Sequence, residues 1–133
     1  MRAATLAYTP AVRSLHQRIK DCLADRCTEP QLTAVDVAAS AGISVRTLHR
    51  TLAAADETFG DKLLEARARI ALRMLTSPLF SRVTTAEIGR RAGFLSNSHF
   101  ARVMRKRAGQ TPLQLRKAGA VSLSSALVPN RAF

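Results

Sequence analysis

Apolar residues recur at three-to-four spacing along most of the chain, which predicts helices with one buried face. Thr9-Pro10 reads as a helix start, with Thr as N-cap and Pro in the first turn. Val12, Leu15, Ile19, Cys22 and Leu23 give that helix its apolar face, and Glu29-Pro30 breaks it just after Cys27. Thr33 opens a second helix. Asp36 follows three residues later, as in a capping box, and Val35, Val37 and Ala38 supply the apolar side. Gly42 is a natural stop, and Ser44 caps a third helix from Val45 to about Ala54. A longer helix runs from about Phe59 to Thr76 under a Thr58 cap. Leu63, Leu64, Ile70, Ala71, Met74 and Leu75 form its stripe, Arg67, Arg69 and Arg73 its basic side, and Pro78 ends it. Thr84-x-x-Glu87 is a second capping box, followed by apolar Ile88 and Ala92 and a stop at Gly93. Ser96 caps the next helix, Asn97 to about Ala108. Thr111-Pro112 starts a short closing helix through Arg116, and the remainder, without periodicity, is expected to be loose.

The pattern repeats. Val37, Ala41 and Gly42 match Ile88, Ala92 and Gly93 at an offset of 51. Ser44, Leu48, Arg50 and Leu52 match Ser96, Phe100, Arg102 and Met104 at an offset of 52, so one extra residue lies around Leu95 in the second turn. Two short helices joined by a tight turn form a helix-turn-helix. The expected fold is all-α, with two helix-turn-helix subdomains joined by a linker helix. Residues 1–8 form an N-terminal arm and 9–117 a DNA-binding domain, followed by a tail, 118–133. Within the domain the segments are 33–55 (first motif), 58–77 (linker), 84–108 (second motif) and 111–117 (closing helix). A linker of roughly 17 residues is about 25 Å long at 1.5 Å per residue. With packing added at each end, the helices 45–54 and 97–108 are expected about one DNA turn apart, roughly 34 Å. One monomer would then read two successive major-groove segments.

Charge sharpens this picture. The 133 residues carry 21 Lys+Arg against 9 Asp+Glu, net +12. The first 60 residues are net +1 and the rest net +11, a one-sided excess that suits a polyanion. Arg supplies 17 of the bases, and its planar fork matches phosphate and guanine edges. No apolar run approaches the ~18 residues of a membrane span, and the N-terminus has no secretory signal. Cys22 and Cys27 are the only cysteines. They cannot build a zinc site or a disulfide framework, and reduced thiols in a cytoplasmic protein are expected. No nucleophile constellation, metal cluster or Gly-rich phosphate loop is present, so neither enzyme nor cofactor is expected. With 5% aromatic residues there are no stacking platforms for single strands, which weighs against the alternative of a non-specific nucleoid or RNA-associated protein.

Glu87-Ile88, Gly93-Phe94, Ser98-His99-Phe100, Arg102, Gly109-Gln110-Thr111-Pro112 and Arg116 resemble the signature of the AraC/XylS family of bacterial transcription regulators. Gly42-Ile43-Ser44, Leu48, Arg50 and the linker residues Arg67, Ala71 and Leu75 extend the resemblance from about Val12 to Lys117. Gly89 stands where the family usually has Ala, and Met104 and Ala108 where aromatic residues are usual. Gly89 is therefore expected to lower helix propensity, and the small residues to thin the second core. The resemblance implies a cytoplasmic, nucleoid-associated activator of transcription that binds double-stranded promoter DNA, with RNA polymerase as a candidate partner. Many family members carry an N-terminal effector-binding or dimerisation domain, so this chain is expected to be either a stand-alone short regulator or the DNA-binding part of a longer protein, with the Thr9-Pro10 start favouring the second.

Base readers should lie near the start of each second helix, on its outward face. In the first motif Leu48 and Leu52 point inward, leaving Arg46, His49 and Arg50 outward; either Arg can pair with guanine O6 and N7. In the second, Phe100, Val103 and Met104 point inward. Asn97 can pair with adenine and Arg102 with guanine, Ala101 touches only a thymine methyl, and Ser98 either reads a base or caps locally. His99 is expected half-packed or near phosphate. Phosphates should be gripped by Arg105, Lys106 and Arg107 and by the helix starts at Thr33, Thr84 and Thr111. Arg67 falls by the linker's apolar stripe and should be structural, bonding helix-end carbonyls or pairing with Asp36.

Overall fold

The computed structural model describes residues 13–121. Thr9, Pro10, Val12, the N-terminal arm and residues 122–133 of the expected tail lie outside the described residues. Seven α-helices are present among them: α1 (Leu15–Arg26), α2 (Ala34–Ala41), α3 (Val45–Ala53), α4 (Phe59–Leu75), α5 (Thr85–Arg91), α6 (Asn97–Ala108) and α7 (Pro112–Val121). A 3-10 turn at Pro78–Phe80 follows α4. Two compact units result. Among the described residues, the first holds α1 and Leu32–Lys62; the second holds Cys27–Gln31 and residues 63–121.

Side-chain caps set most helix starts, each satisfying a backbone N–H that the helix leaves unpaired. Ser44 Oγ accepts from the Thr47 N–H at 3.0 Å, Thr58 Oγ1 from Asp61 at 3.1 Å and Ser96 Oγ from His99 at 3.1 Å. Thr33 and Asp36 form the full reciprocal box. The Thr84 box forms only by half. Thr84 Oγ1 accepts from the Glu87 N–H, but the Glu87 carboxylate turns to Arg90 and Arg91. A further reciprocal box joins Thr111 to Gln114, whose amide oxygen accepts from the Thr111 N–H at 2.9 Å. Two boundaries differ from expectation. Helix α1 begins at Leu15, capped by Ser14, whose Oγ accepts from the Gln17 N–H. Helix α7 continues to Val121, past the expected end near Arg116.

In the first unit, Ile19 and Leu23 of α1 are buried with Val37, Ala38 and Ala41 of α2 and Leu48 and Leu52 of α3. Helix α1 packs on both α2 and α3. Val35, expected on the apolar side of α2, is 61% exposed, and Ala41 takes that role. The reason is angular: positions 37, 38 and 41 share one helical face, and 35 lies away from it. Polar ties close the unit. Arg18 Nη2 donates to the Ala41 carbonyl at 2.7 Å, which occupies an orphan acceptor at the end of α2. The Glu57 carboxylate takes His16 Nε2 at 2.7 Å and Lys62 Nζ at 3.4 Å.

In the second unit one apolar cluster joins Ala68, Ala71, Leu72 and Leu75 of α4 to Ile88, Ala92, Phe94, Phe100, Val103, Met104 and Leu115. Leu64, Ile70 and Met74, expected in the α4 stripe, are half-buried against it, and Ala108 fills its edge. Met104, expected to thin this core, is fully enclosed. Gly89 is the corrected case. A Cβ there would stand 2.4 Å from Cδ2 of Phe100, a ring with no solvent exposure. The glycine does not thin this core; its bare backbone is the seat of the ring.

Arg67 is buried at 8% exposure on the apolar face of α4. Its Nε donates to the Cys27 carbonyl at 2.7 Å and its Nη2 to those of Glu29 at 2.8 Å and Pro30 at 3.4 Å. Of the two roles expected for it, the structure shows carbonyl bonding; the Asp36 carboxylate is occupied by Thr33. Burial lowers the pKa of the Arg67 guanidinium, and the carbonyl dipoles compensate its charge. Gly93 sits against this arrangement with φ 109°; a Cβ would stand 2.6 Å from the Cys27 oxygen and 2.7 Å from Arg67 Nε. Arg116 repeats the device, with Nη2 donating to the carbonyls of Phe80 at 3.2 Å and Val83 at 2.5 Å.

Two outcomes follow for stability. Gly89→Ala gains about 1 kcal/mol of helix propensity but overpacks Phe100 at a cost of about 1–3 kcal/mol. Denaturant unfolding should therefore show net destabilisation; a stabilised variant would mean that the ring yields freely. Arg67→Met leaves buried carbonyls without donors and should lose about 2–4 kcal/mol. Exposed Arg73→Met should lose under about 0.5 kcal/mol in the same assay.

Candidate nucleic-acid interface

The two candidate reading helices are built alike. In α3, Leu48 and Leu52 are fully enclosed, which turns Arg46, His49 and Arg50 to solvent. In α6, Phe100, Val103 and Met104 are buried, and Asn97, Ser98, Arg102, Arg105 and Lys106 are exposed. Both helices begin at a serine cap, so their first turns present the same polar backbone end. Helix α3 precedes Ala54 without an acidic residue in its first turn, and α6 likewise. Neither first turn therefore opposes an anionic ligand with a carboxylate of its own.

The remaining expected residues fall differently. Ala101 and Arg107 are half-buried. His99 packs its ring on Phe94 in an edge-on geometry, centroids 5.8 Å apart, so the half-packed role is the one seen. The three threonine-capped starts are not equivalent. At Thr33 the Asp36 carboxylate accepts from the Thr33 backbone, which holds its pKa below the usual value. At Thr84 the first turn carries Glu87, whose pKa is held at about 2 by hydrogen bonds from Arg90 and Arg91. Each of these ends already holds an anion of its own. The Thr111 end uses neutral Gln114 instead and has no acidic residue in its first turn.

The basic residues sort into two populations. Arg18, Arg67 and Arg116 bond backbone carbonyls, and Arg13, Arg90 and Arg91 pair with carboxylates. Arg46, Arg50, Arg102, Arg105 and Lys106 are exposed and make no side-chain bond among the described residues. Charge counting alone could not make this division. A usable signal was present for Glu87, because acidic side chains at i with Arg at i+3 and i+4 meet on a helix surface. Cys22 and Cys27 form no disulfide, and no group of His, Cys, Asp or Glu among the described residues is placed to hold a metal. No helix among the described residues is long and apolar enough to cross a membrane.

Two helix-turn-helix units with solvent-facing basic second helices define an all-α DNA-binding module. The comparisons place it in a family. A helix-turn-helix domain model matches residues 37–118. The transcriptional activator NphR of a Rhodococcus species is 33% identical over 100 residues, which are 75% of this chain and 29% of that protein. A DNA-binding transcriptional dual regulator from Escherichia coli K-12 shares the fold with a TM-score of 0.72 at 21% identity, covering 81% of this chain and 94% of that one. The C-terminal domain of AraT, a response regulator from Geobacillus stearothermophilus, gives 0.70 at 22% identity, with 80% and 86% covered. The chain belongs to the AraC/XylS-type helix-turn-helix family, a family of DNA-binding transcription regulators. It spans about 29% of the length of the curated relative it matches.

The Glu87 cluster gives a pH signature. Its carboxyl titrates at about 2 in the folded chain against an ordinary 4.5, so its contribution to stability is present above about 4.5. It is lost as the pH falls towards about 2. The stability difference between the wild type and Glu87→Gln should be constant at neutral pH and shrink through this window. It should also be small, because the cluster is exposed. A difference that persists at pH 2 would assign Glu87 another role.

Proposed function

We propose that this chain reads two successive major-groove segments of a promoter with sequence specificity and activates transcription there. Helix α3 reads one segment through Arg46, His49 and Arg50. Helix α6 reads the other through Asn97, Ser98 and Arg102. The observation that carries this reading is the shared construction of the two helices: each is pinned by buried apolar residues, starts at a serine cap and presents uncommitted polar side chains. Arg105, Lys106, Arg107 and the helix starts at Thr33, Thr84 and Thr111 grip phosphates, with Thr111 the least opposed by local charge. Activation is supported by the 33%-identical activator NphR. RNA polymerase, a further N-terminal effector-binding or dimerisation domain, and a cytoplasmic location on the nucleoid belong to the same reading.

Selection from random ~30-base-pair duplexes at ~150 mM salt tests it, with two enriched blocks about 10 base pairs apart expected. Arg46→Ala should relax one block and Arg102→Ala the other, each by about 1–3 kcal/mol at the affected base pair. Loss at the same base pairs would end the two-segment model. As the contrast, Arg105→Ala should weaken all sequences alike and reduce the salt slope by about one unit. Unenriched binding that vanishes as salt rises would establish the non-specific alternative instead.

A further inference from the structure

The two helix-turn-helix turns differ by one residue, and the structure shows which one is extra. In the first turn the Ile43 N–H donates to the Ala38 carbonyl at 3.0 Å; in the second, the Phe94 N–H donates to the Gly89 carbonyl at 3.0 Å. These bonds are equivalent, so Phe94 is the counterpart of Ile43. Ser44 and Ser96 are the matching caps. Leu95 is the insertion. Phe94 is 3% exposed, whereas Leu95 is turned outward at 72%. Exposure of a single leucine is ordinary on a protein surface, so what distinguishes Leu95 is its place beside a cleft at the start of α6.

A cleft of about 200 Å³ adjoins Leu95. Gly89, Phe94 and Phe100 belong to its lining, and exposed Ala86, Arg90, Leu95 and Asn97 border it. Asn97 is the first residue of α6 and the expected reader of adenine. The cleft thus opens beside the start of the reading helix, with apolar walls and a guanidinium at its edge. The group that a major groove offers to an apolar surface is the 5-methyl of thymine.

We infer that Leu95 and the cleft beside it form a recognition site for a thymine methyl, next to the base pair that Asn97 reads. The inference rests on the proposed function, because it needs α6 in the major groove. It gives the second unit a specificity element with no equivalent in the first, where Ile43 is followed directly by the cap. Ala101, an apolar residue of α6 itself, is half-buried and lies more than a helical turn beyond Leu95.

The test uses the duplex obtained by selection, with each thymine of the α6 block replaced singly by deoxyuridine. That change removes only the methyl group. For the wild type, one replacement should weaken binding about fourfold, the value of one methyl group moved out of water. In Leu95→Ser the same replacement should change affinity by less than about 1.5-fold, while Ala101→Ser should keep the full sensitivity. Leu95 is exposed, so its replacement leaves the fold intact, and a melting curve checks this. The inference is overturned if no thymine is methyl-sensitive, if Leu95→Ser stays as sensitive as the wild type, or if sensitivity follows Ala101. In those cases a surviving α6 block that responds to Arg102→Ala keeps the proposed function standing. Absence of that block removes both.

Discussion

A buried cation held only by backbone oxygens organises the second unit. Segment Cys27–Gln31 has no helix or strand to satisfy its carbonyls, and buried carbonyls without donors are costly. Arg67 answers three of them from one planar group. Lys in its place would offer a point charge without the fork. The geometry also reaches the helix-turn-helix. Gly93 lies so close to the Cys27 oxygen and Arg67 Nε that no side chain fits there. Three residues later Ser96 caps α6. The guanidinium, the bare turn and the start of α6 are therefore one constraint.

The same residue type does opposite work elsewhere. Arginine is the natural bridge to an irregular backbone because its donors are fixed in a plane, and it is the natural reader of guanine and phosphate for the same reason. The partners that the fold brings to each arginine decide between the roles. Arg67 and Arg116 face carbonyls inside the second unit, Arg90 and Arg91 share Glu87, and the exposed arginines of α3 and α6 remain uncommitted. The net +12 does not by itself say which cations are exposed and unpaired; α3 and α6 supply Arg46, Arg50, Arg102, Arg105 and Lys106 to that set.

The two motifs share a plan and differ in their interiors. Aliphatic Leu48 fills the position that Phe100 fills in the second unit. The larger ring requires the missing Cβ of Gly89. Position 89 therefore cannot be judged by helix propensity alone: the packing term opposes it and is the larger of the two. The inserted Leu95 adds an outward difference to this inward one.

Helix positions, most caps, the doubled motif and the family were legible in the sequence, because their determinants are local. A cap acts over three residues, and a periodic stripe marks a buried face without reference to the neighbour that buries it. The outward faces of α3 and α6 were legible for the same reason, since Leu48, Leu52, Phe100, Val103 and Met104 fix the rotation of their own helices. Tertiary structure alone decided the rest. The spacing admitted two partners for Arg67, and only the fold brought the Cys27, Glu29 and Pro30 carbonyls to it. Val35 looked apolar enough for the core but sits off the packed face of α2. Gly89 read as a weak point until the Phe100 ring was seen against it. Each of these depends on a partner far along the chain, and a sequence pattern reports the period of a face but not what is brought to meet it.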